Sequence, residues 1–414
     1  MATNEKSSSA RSGPWLTRGV LGIGLASLFS DWGHEAATSV LPGFLATLGA
    51  PPIALGVIEG VSDGLASFAK LAGGFVADYP RLRKPTGILG YFATAFTTCA
   101  YALANSWPAL LLLRGLGWMG RGVRGPSRDA LLAACVTPGQ EGRAFGFERA
   151  MDTLGAVLGP LCAAALLGLL GARGVMLWTI VPGSIAALAF AFLAPAAHQT
   201  GELHHAAVAP WSTRLARLPR HYFYFLCGVF AHGAGDFAPT LLILYASKVL
   251  TPQVGATRAM ALAVGLYTFY NVVNALASFP AGALSDTMGK RGLLAFGYLI
   301  GAASYAGFIF APRPSLWVLG ALFGLAGVHG AFQQSVEKSA AVEILPREIR
   351  GTGFGVLASV NGVGDLVSSV VVGALWSKVS AAAGFWYAAI LAAIGAGLIY
   401  FVRGGSSDAL QPSK

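Results

Sequence analysis

Four arginines stand in a stretch that is otherwise apolar and rich in glycine: Arg114, Arg121, Arg124 and Arg128, at spacings of seven, three and four. At about 100° per residue they share one face of a helix. Two more apolar stretches carry similar stripes. One holds Glu59, Asp63 and Lys70; the other holds Asp31 and Glu35, with His34 beside them. A charged side chain at the centre of a lipid-embedded helix costs about 2.5–3.5 kcal/mol, so these groups are expected to face a shared polar cavity. The chemistry they support is charge movement. Asp31, Glu35, Glu59 and Asp63 can each be charged or neutral and qualify as proton carriers. Arg114 stays charged and can only drive a proton off a neighbouring acid. Counting about 1.5 Å per residue puts Asp31, Glu59 and Arg114 at a common depth, where they are expected to pair. Arg121 and Arg124 are then candidates, with His34, for binding a substrate.

The second half of the chain is polar in a different way. His232 and Asp236, Tyr267, Tyr270, Asn271 and Asn274, His329 and Gln333, and Asn361 and Asp365 recur at steps of three or four residues. Each set therefore lies on one helix face. They read as a hydrogen-bonding wall for substrate selection, with helix packing as the competing explanation.

The elements that carry these residues are apolar spans. Hydrophobic residues make up 55% of the 414, charged residues 11%, and there are 55 glycines, a composition that suits a bilayer. With about 20 apolar residues needed per transmembrane helix, spans fall near 19–48, 53–77, 86–105, 108–134, 143–170, 174–195, 221–249, 259–284, 291–311, 315–342, 351–377 and 382–402. The fold class expected is an all-α polytopic membrane protein of twelve helices in two pseudo-symmetric bundles. Residues 1–18 form an N-terminal tail, 19–195 the first bundle, 196–220 a linker, 221–403 the second bundle and 404–414 a C-terminal tail.

Duplication is visible in the loops. Gly74-Phe-Val-Ala-Asp78, followed by Arg81, Arg83 and Lys84, is repeated 208 residues later as Gly282-Ala-Leu-Ser-Asp286, followed by Gly289, Lys290 and Arg291. Gly142 to Gly146 matches Gly351 to Gly355, and Phe29 to Glu35 matches Phe230 to Asp236. These loops resemble the G-x-L-A-D-R-x-G-R-K segment between spans 2 and 3 of the major facilitator superfamily, which is echoed between spans 8 and 9. The first copy has Pro80 and Arg81 where that pattern has Gly. Arg114 opens a segment similar to the superfamily's span 4 motif, and Gly155-Ala-Val-Leu-Gly159-Pro160 resembles the G-x-x-x-G-P of drug:proton antiporters. Its alternative reading is small-residue helix packing. The resemblance implies alternating access, a midplane site between the halves, and a gate locked by Asp78 and Asp286. The pairs Arg128-Asp129 and Glu337-Lys338, which occupy matching places, read as further gate residues.

Positive charge collects in the loops that hold Arg81, Arg83 and Lys84, Arg143, Arg214, Arg217 and Arg220, Lys290 and Arg291, and Arg347 and Arg350. That bias expects both termini and the linker to be cytoplasmic in an inner or plasma membrane. The net charge of +10 is then a topology signal rather than a sign of nucleic-acid binding. Cys99, Cys135, Cys162 and Cys227 read as apolar filler, and His198, His204 and His205 as part of a solvated connector. No phosphate-cradling loop or nucleophile elbow is present, so neither an enzyme nor a nucleotide-driven pump is expected, and no cofactor or resident metal. The expected function is proton-coupled export of a small molecule, acting as a monomer with protons and the bilayer as its other partners. Two alternatives are uptake or exchange of an organic or phosphorylated anion, suggested by the arginines, and divalent metal export through Asp31, His34, Glu35, His232 and Asp236.

Overall fold

The computed structural model describes residues 14–50, 53–196, 210–237, 239–311 and 315–401. Residues 1–13 of the expected N-terminal tail, the expected C-terminal tail, and His198, His204 and His205 lie outside the described residues. The first six spans are α1 (Arg18–Thr47), α2 (Ile53–Ala77), α3 (Pro80–Ala100), α4 (Trp107–Ala134), α5 (Glu141–Trp178) and α6 (Ile180–Leu193). Proline at the first turn starts α3 and α4 without losing a needed donor. Gly171, at φ 65° and ψ 175°, breaks the continuous α5 assignment, so the chain turns back there into the sixth span.

A short helix, α7 (Trp211–Ala216), precedes the second bundle of α8 (Arg220–Gly233), α9 (Pro239–Val254), α10 (Ala256–Met288), α11 (Lys290–Phe310), α12 (Leu316–Ile344), α13 (Arg350–Lys378) and α14 (Ala381–Phe401). The seventh span, expected as one helix over 221–249, is instead split into α8 and α9. Gly233, Gly235 and Pro239 account for this: two weak helix formers are followed by a residue that cannot extend the preceding hydrogen-bond ladder. Non-helical backbone at this depth is tolerated only inside protein or beside a cavity. Among the described residues six stretches of helix are long and apolar enough to cross a membrane; the one in the first bundle runs through both α5 and α6, and the other five belong to the second bundle. Charges interrupt α1, α2 and α4.

Two seams join the bundles: α5 packs on α10, and α2 on α13. At the end where the 78 and 286 loops lie, called here the near side, backbones touch. A side chain on Gly74 would meet the Gly351 carbonyl at 2.7 Å and Gly355 Cα at 2.8 Å, and one on Gly142 would collide with Gly282. Contact along α2 and α13 continues to Ser67 and Gly362. One turn farther, Gly60, Asp63 and Gly64 on α2 and Leu366 and Val370 on α13 are exposed, and nothing lies within 4 Å of where a side chain on Gly60 or Gly64 would begin. Along α2 and α13 the bundles meet on the near side and part on the far side, leaving a cavity between them.

Candidate functional site

Asp31 sits at the floor of this cavity, ion-paired with Arg121. The expected partner, Arg114, does not reach it. Arg114 is buried lower in accessibility than any other arginine of the ladder, donates to Thr38 at 3.4 Å and lies near the Trp118 ring. Depth alone did not pick the partner of Asp31, because the register between two helices also depends on tilt and rotation; the expected pairing of Arg114 with Glu59 falls on a side chain outside the described residues. Arg124 is not presented to the cavity as a substrate ligand. It donates to Ser30 at 2.8 Å and Thr94 at 3.3 Å and stands over the Tyr91 ring. Arg128 bonds Glu148 at 2.7 Å and Asp129 at 3.0 Å. Glu35 lies half-buried one turn beyond Asp31 toward the opening, and Asp63 is exposed on α2; the Glu59 side chain is outside the described set.

The G-x-x-x-G-P segment explains how α1 is held in place. A side chain on Gly155 would meet the Leu28 carbonyl and Asp31 Cβ, and one on Gly159 would strike Glu35 Cβ at 2.7 Å. Here the small residues bring α5 against the two acids, which is the packing reading of that motif. Pro160, the next residue, is exposed. His34 is turned away from Glu35 and packs edge-on to Trp118, with ring centroids 5.2 Å apart.

Across the cavity, the second bundle brings together His232, Asp236 and His329. Their ligand atoms all lie within 4.8 Å of one another. Tyr305 donates to Asp236 Oδ1 at 2.8 Å, and the His232 ring stacks on Tyr298 with centroids 3.7 Å apart. Tyr267 and Tyr270 stack at 5.8 Å and are half-buried, as are Gln333 and Asn361, while Asp365 is exposed. Asn271 is bonded to the Tyr267 carbonyl of its own helix. Asn274 is buried in the seam, accepting from Thr153 at 3.4 Å and Ser278 at 3.2 Å, so it joins the bundles rather than lining the wall.

Both loop acids cap a helix of the opposite bundle. Asp286 accepts from the backbone N–H of Gly142 at 2.7 Å and Arg143 at 3.0 Å, the first turn of α5. Asp78 accepts from the Thr352 N–H at 2.9 Å and the Thr352 hydroxyl, in the first turn of α13. A helix N-terminus favours such an anion. The cation that meets Asp78 is Arg214 of α7, at 3.0 Å, rather than the basic residues that follow it. Arg83 donates to the Ala77 carbonyl at 2.5 Å, Lys84 to the Ala194 carbonyl at 2.7 Å, and Arg81 is exposed. Burial pushes the Asp78 carboxyl above the usual range, against the hydrogen bonds from Thr352 and Arg214. At the repeat, Lys290 pairs with Glu141 at 2.9 Å, Arg291 is half-buried, and Gly289 makes the turn with φ 87°.

Glu337 and Lys338 do not act as one unit. Neighbours on a helix diverge by about 100°: Lys338 reaches Asp129 across the seam at 3.0 Å, whereas Glu337 turns inward to Tyr298 at 2.9 Å and Asn361 at 2.6 Å. Spans 1, 2 and 4 do not exhaust the buried charge. Glu148, Arg149 and Asp152 on α5 join the network, with Arg149 and Asp152 paired at 2.6 Å. Their spacing of one turn in an apolar span was the available signal. Arg214 was legible only as one of the basic loop residues, and Thr352 only as part of the repeated 351–355 segment; neither pattern names Asp78 as the partner.

The arrangement of two six-span bundles with paired loop caps agrees with a sequence-family match. The Major Facilitator Superfamily model matches residues 23–267 and 243–413. The chain belongs to the major facilitator superfamily. An uncharacterized MFS-type transporter of Methanocaldococcus jannaschii is 27% identical over 390 residues, covering 94% of this chain and 95% of that protein. Among solved structures, the Escherichia coli fucose:proton symporter superposes with a TM-score of 0.74 at 14% identity, covering 94% of this chain and 99% of that one. A bacterial homologue of the iron transporter ferroportin, in an outward-facing state, gives 0.72 at 15% identity over 92% and 98%. These structural likenesses concern the fold. The facilitator is a multi-pass membrane transporter.

Proposed function

We propose that this facilitator is a proton-coupled secondary transporter that exports a small molecule by alternating access, working as a monomer with its near side in the cytoplasm. The observation that carries the reading is the Asp31–Arg121 pair at the cavity floor, with Glu35 one turn nearer the opening. Protonating Asp31 removes the charge that holds Arg121, and Arg121 cannot give up its own proton. The α1–α4 contact thus changes with proton occupancy. Paired caps at Asp78 and Asp286 close the near side, and breaking both is required to open it. The loop charges support the orientation, and export rests on the resemblance of Gly155–Pro160 to the antiporter segment, whose glycines also pack α5 on α1. Anion transport draws less support, because each of the four ladder arginines already has a polar partner.

The test is transport in proteoliposomes under an imposed pH gradient. Asp31→Asn should abolish gradient-driven accumulation while substrate counterflow stays measurable. Full accumulation by both the Asp31→Asn and Glu35→Gln proteins would remove this pair from the mechanism and leave Asp63 and Glu59 as candidates. Orientation is checked separately by a cysteine placed at residue 200, which should resist labelling from outside intact cells.

A further inference from the structure

We propose that His232, Asp236 and His329 form a binding site, facing the cavity, for a divalent transition-metal ion carried as cargo. This names a substrate class for the transporter reading, but does not depend on proton coupling. His232 Nε2 and His329 Nε2 each lie 3.9 Å from an oxygen of Asp236. A tetrahedral ion with bonds of about 2.0–2.1 Å needs ligand atoms about 3.3 Å apart, so side-chain movements of about an ångström close the set.

The surroundings are those of a ligand set. His329 Nδ1 is 2.9 Å from the Gly297 carbonyl, so in the neutral ring the proton sits there and the Nε2 lone pair faces Asp236. Metal-bound histidines are oriented in this way, by a backbone carbonyl on the other nitrogen. Tyr305 plays the corresponding role for the carboxylate, and the Ser368 hydroxyl donates to the Asp236 carbonyl at 2.9 Å. His232 is fully buried, and neither of its ring nitrogens has a hydrogen-bond partner among the described residues. A buried imidazole without a partner is costly, and an ion accepting its lone pair would remove that cost.

The backbone favours positive charge here as well. His232 lies in the last turn of α8, where the seventh span breaks, and the carbonyl end of a helix attracts a cation. Two imidazoles and one carboxylate suit Mn²⁺, Fe²⁺, Co²⁺ or Zn²⁺ better than Mg²⁺ or Ca²⁺, which prefer oxygen donors. With three protein ligands and Asp236 partly open to the cavity, a coordination position remains for water and exchange.

Co²⁺ added to the purified full-length protein should give a ligand-field absorption band that saturates at one equivalent and resists excess Mg²⁺. His329→Gln and Asp236→Asn should each weaken that binding at least ~10-fold, and Tyr305→Phe, which keeps all three ligands, by about 10-fold. The variants are compared at unchanged gel-filtration profile; Tyr305→Phe tests the site even if a ligand variant misfolds. No band, or a band unaltered in all three variants, overturns the site. A band without Co²⁺ uptake into proteoliposomes overturns the cargo role. If Asp31→Asn binds Co²⁺ normally but has lost pH-driven transport, both readings stand. pH-driven transport of another substrate with no Co²⁺ band sinks the metal site alone.

Discussion

The two bundles place different chemistry at matching positions. The repeat that aligns Phe29–Glu35 with Phe230–Asp236 puts His232 opposite Asp31 and Asp236 opposite Glu35. On the packing helices, His329 of α12 stands within one residue of the place Arg121 has on α4. In the first bundle the outcome is an acid held by a guanidinium. In the second it is an acid between two imidazoles and a phenol. A guanidinium offers no lone pair, so the first constellation can balance charge or take a proton on its carboxylate, but Arg121 cannot coordinate a cation. Imidazoles offer a lone pair or a proton, so the second can coordinate or hydrogen-bond. Duplication supplied one backbone frame, and side-chain substitution divided the work between its halves.

The sharpest way to break this comparison is to remove one partner in each bundle. Arg121→Gln leaves a buried carboxylate without its cation, which costs about 3–5 kcal/mol. Thermal unfolding in detergent should show that loss, and the Asp31→Asn/Arg121→Gln double variant should recover most of it. If the single variant is as stable as wild type, the pair is not a buried charge balance. A neutral change in the second bundle, Asn361→Ala, removes one hydrogen bond to Glu337 and should cost only about 1–2 kcal/mol.

The paired caps give an intermediate effect, and they too are unequal. Asp78→Asn strips Arg214, whose side chain is 6% exposed, of its counter-charge, while Asp286→Asn leaves Arg143, at 35%, in water. The first should therefore open the near side much more than the second, read as cysteine accessibility at Gly351-facing positions of α2. For Asp286→Asn a loss of about 1 kcal/mol is expected, since an amide still accepts from the α5 amides. Equal opening by both variants would show that the backbone caps, and not the Arg214 pair, carry the closure.

Much of the architecture was legible in residue types and spacing. Twelve apolar stretches, the repeated loop acids and the charged stripes each follow from local rules: span length, helical period and the cost of charge in lipid. Those rules also indicated which bundle holds the charges. They failed where an answer depends on how two helices face each other. Depth along α4 pointed to Arg114, yet a difference in rotation of about 100° per residue decides which arginine meets α1. Glu337 and Lys338 were separated for the same reason.

By itself, then, the sequence determined the spans, their duplication and the inventory of titratable groups, because these are properties of one helix at a time. Tertiary structure decided the partners. It chose Arg121 for Asp31, brought Arg214 from a short linker helix to Asp78, and brought His329 of another span to the His232–Asp236 pair. It also broke the seventh span beside Asp236. Such pairings reflect close approach at glycines such as Gly155 and Gly142, where a fraction of an ångström between backbones sets which side chains can touch.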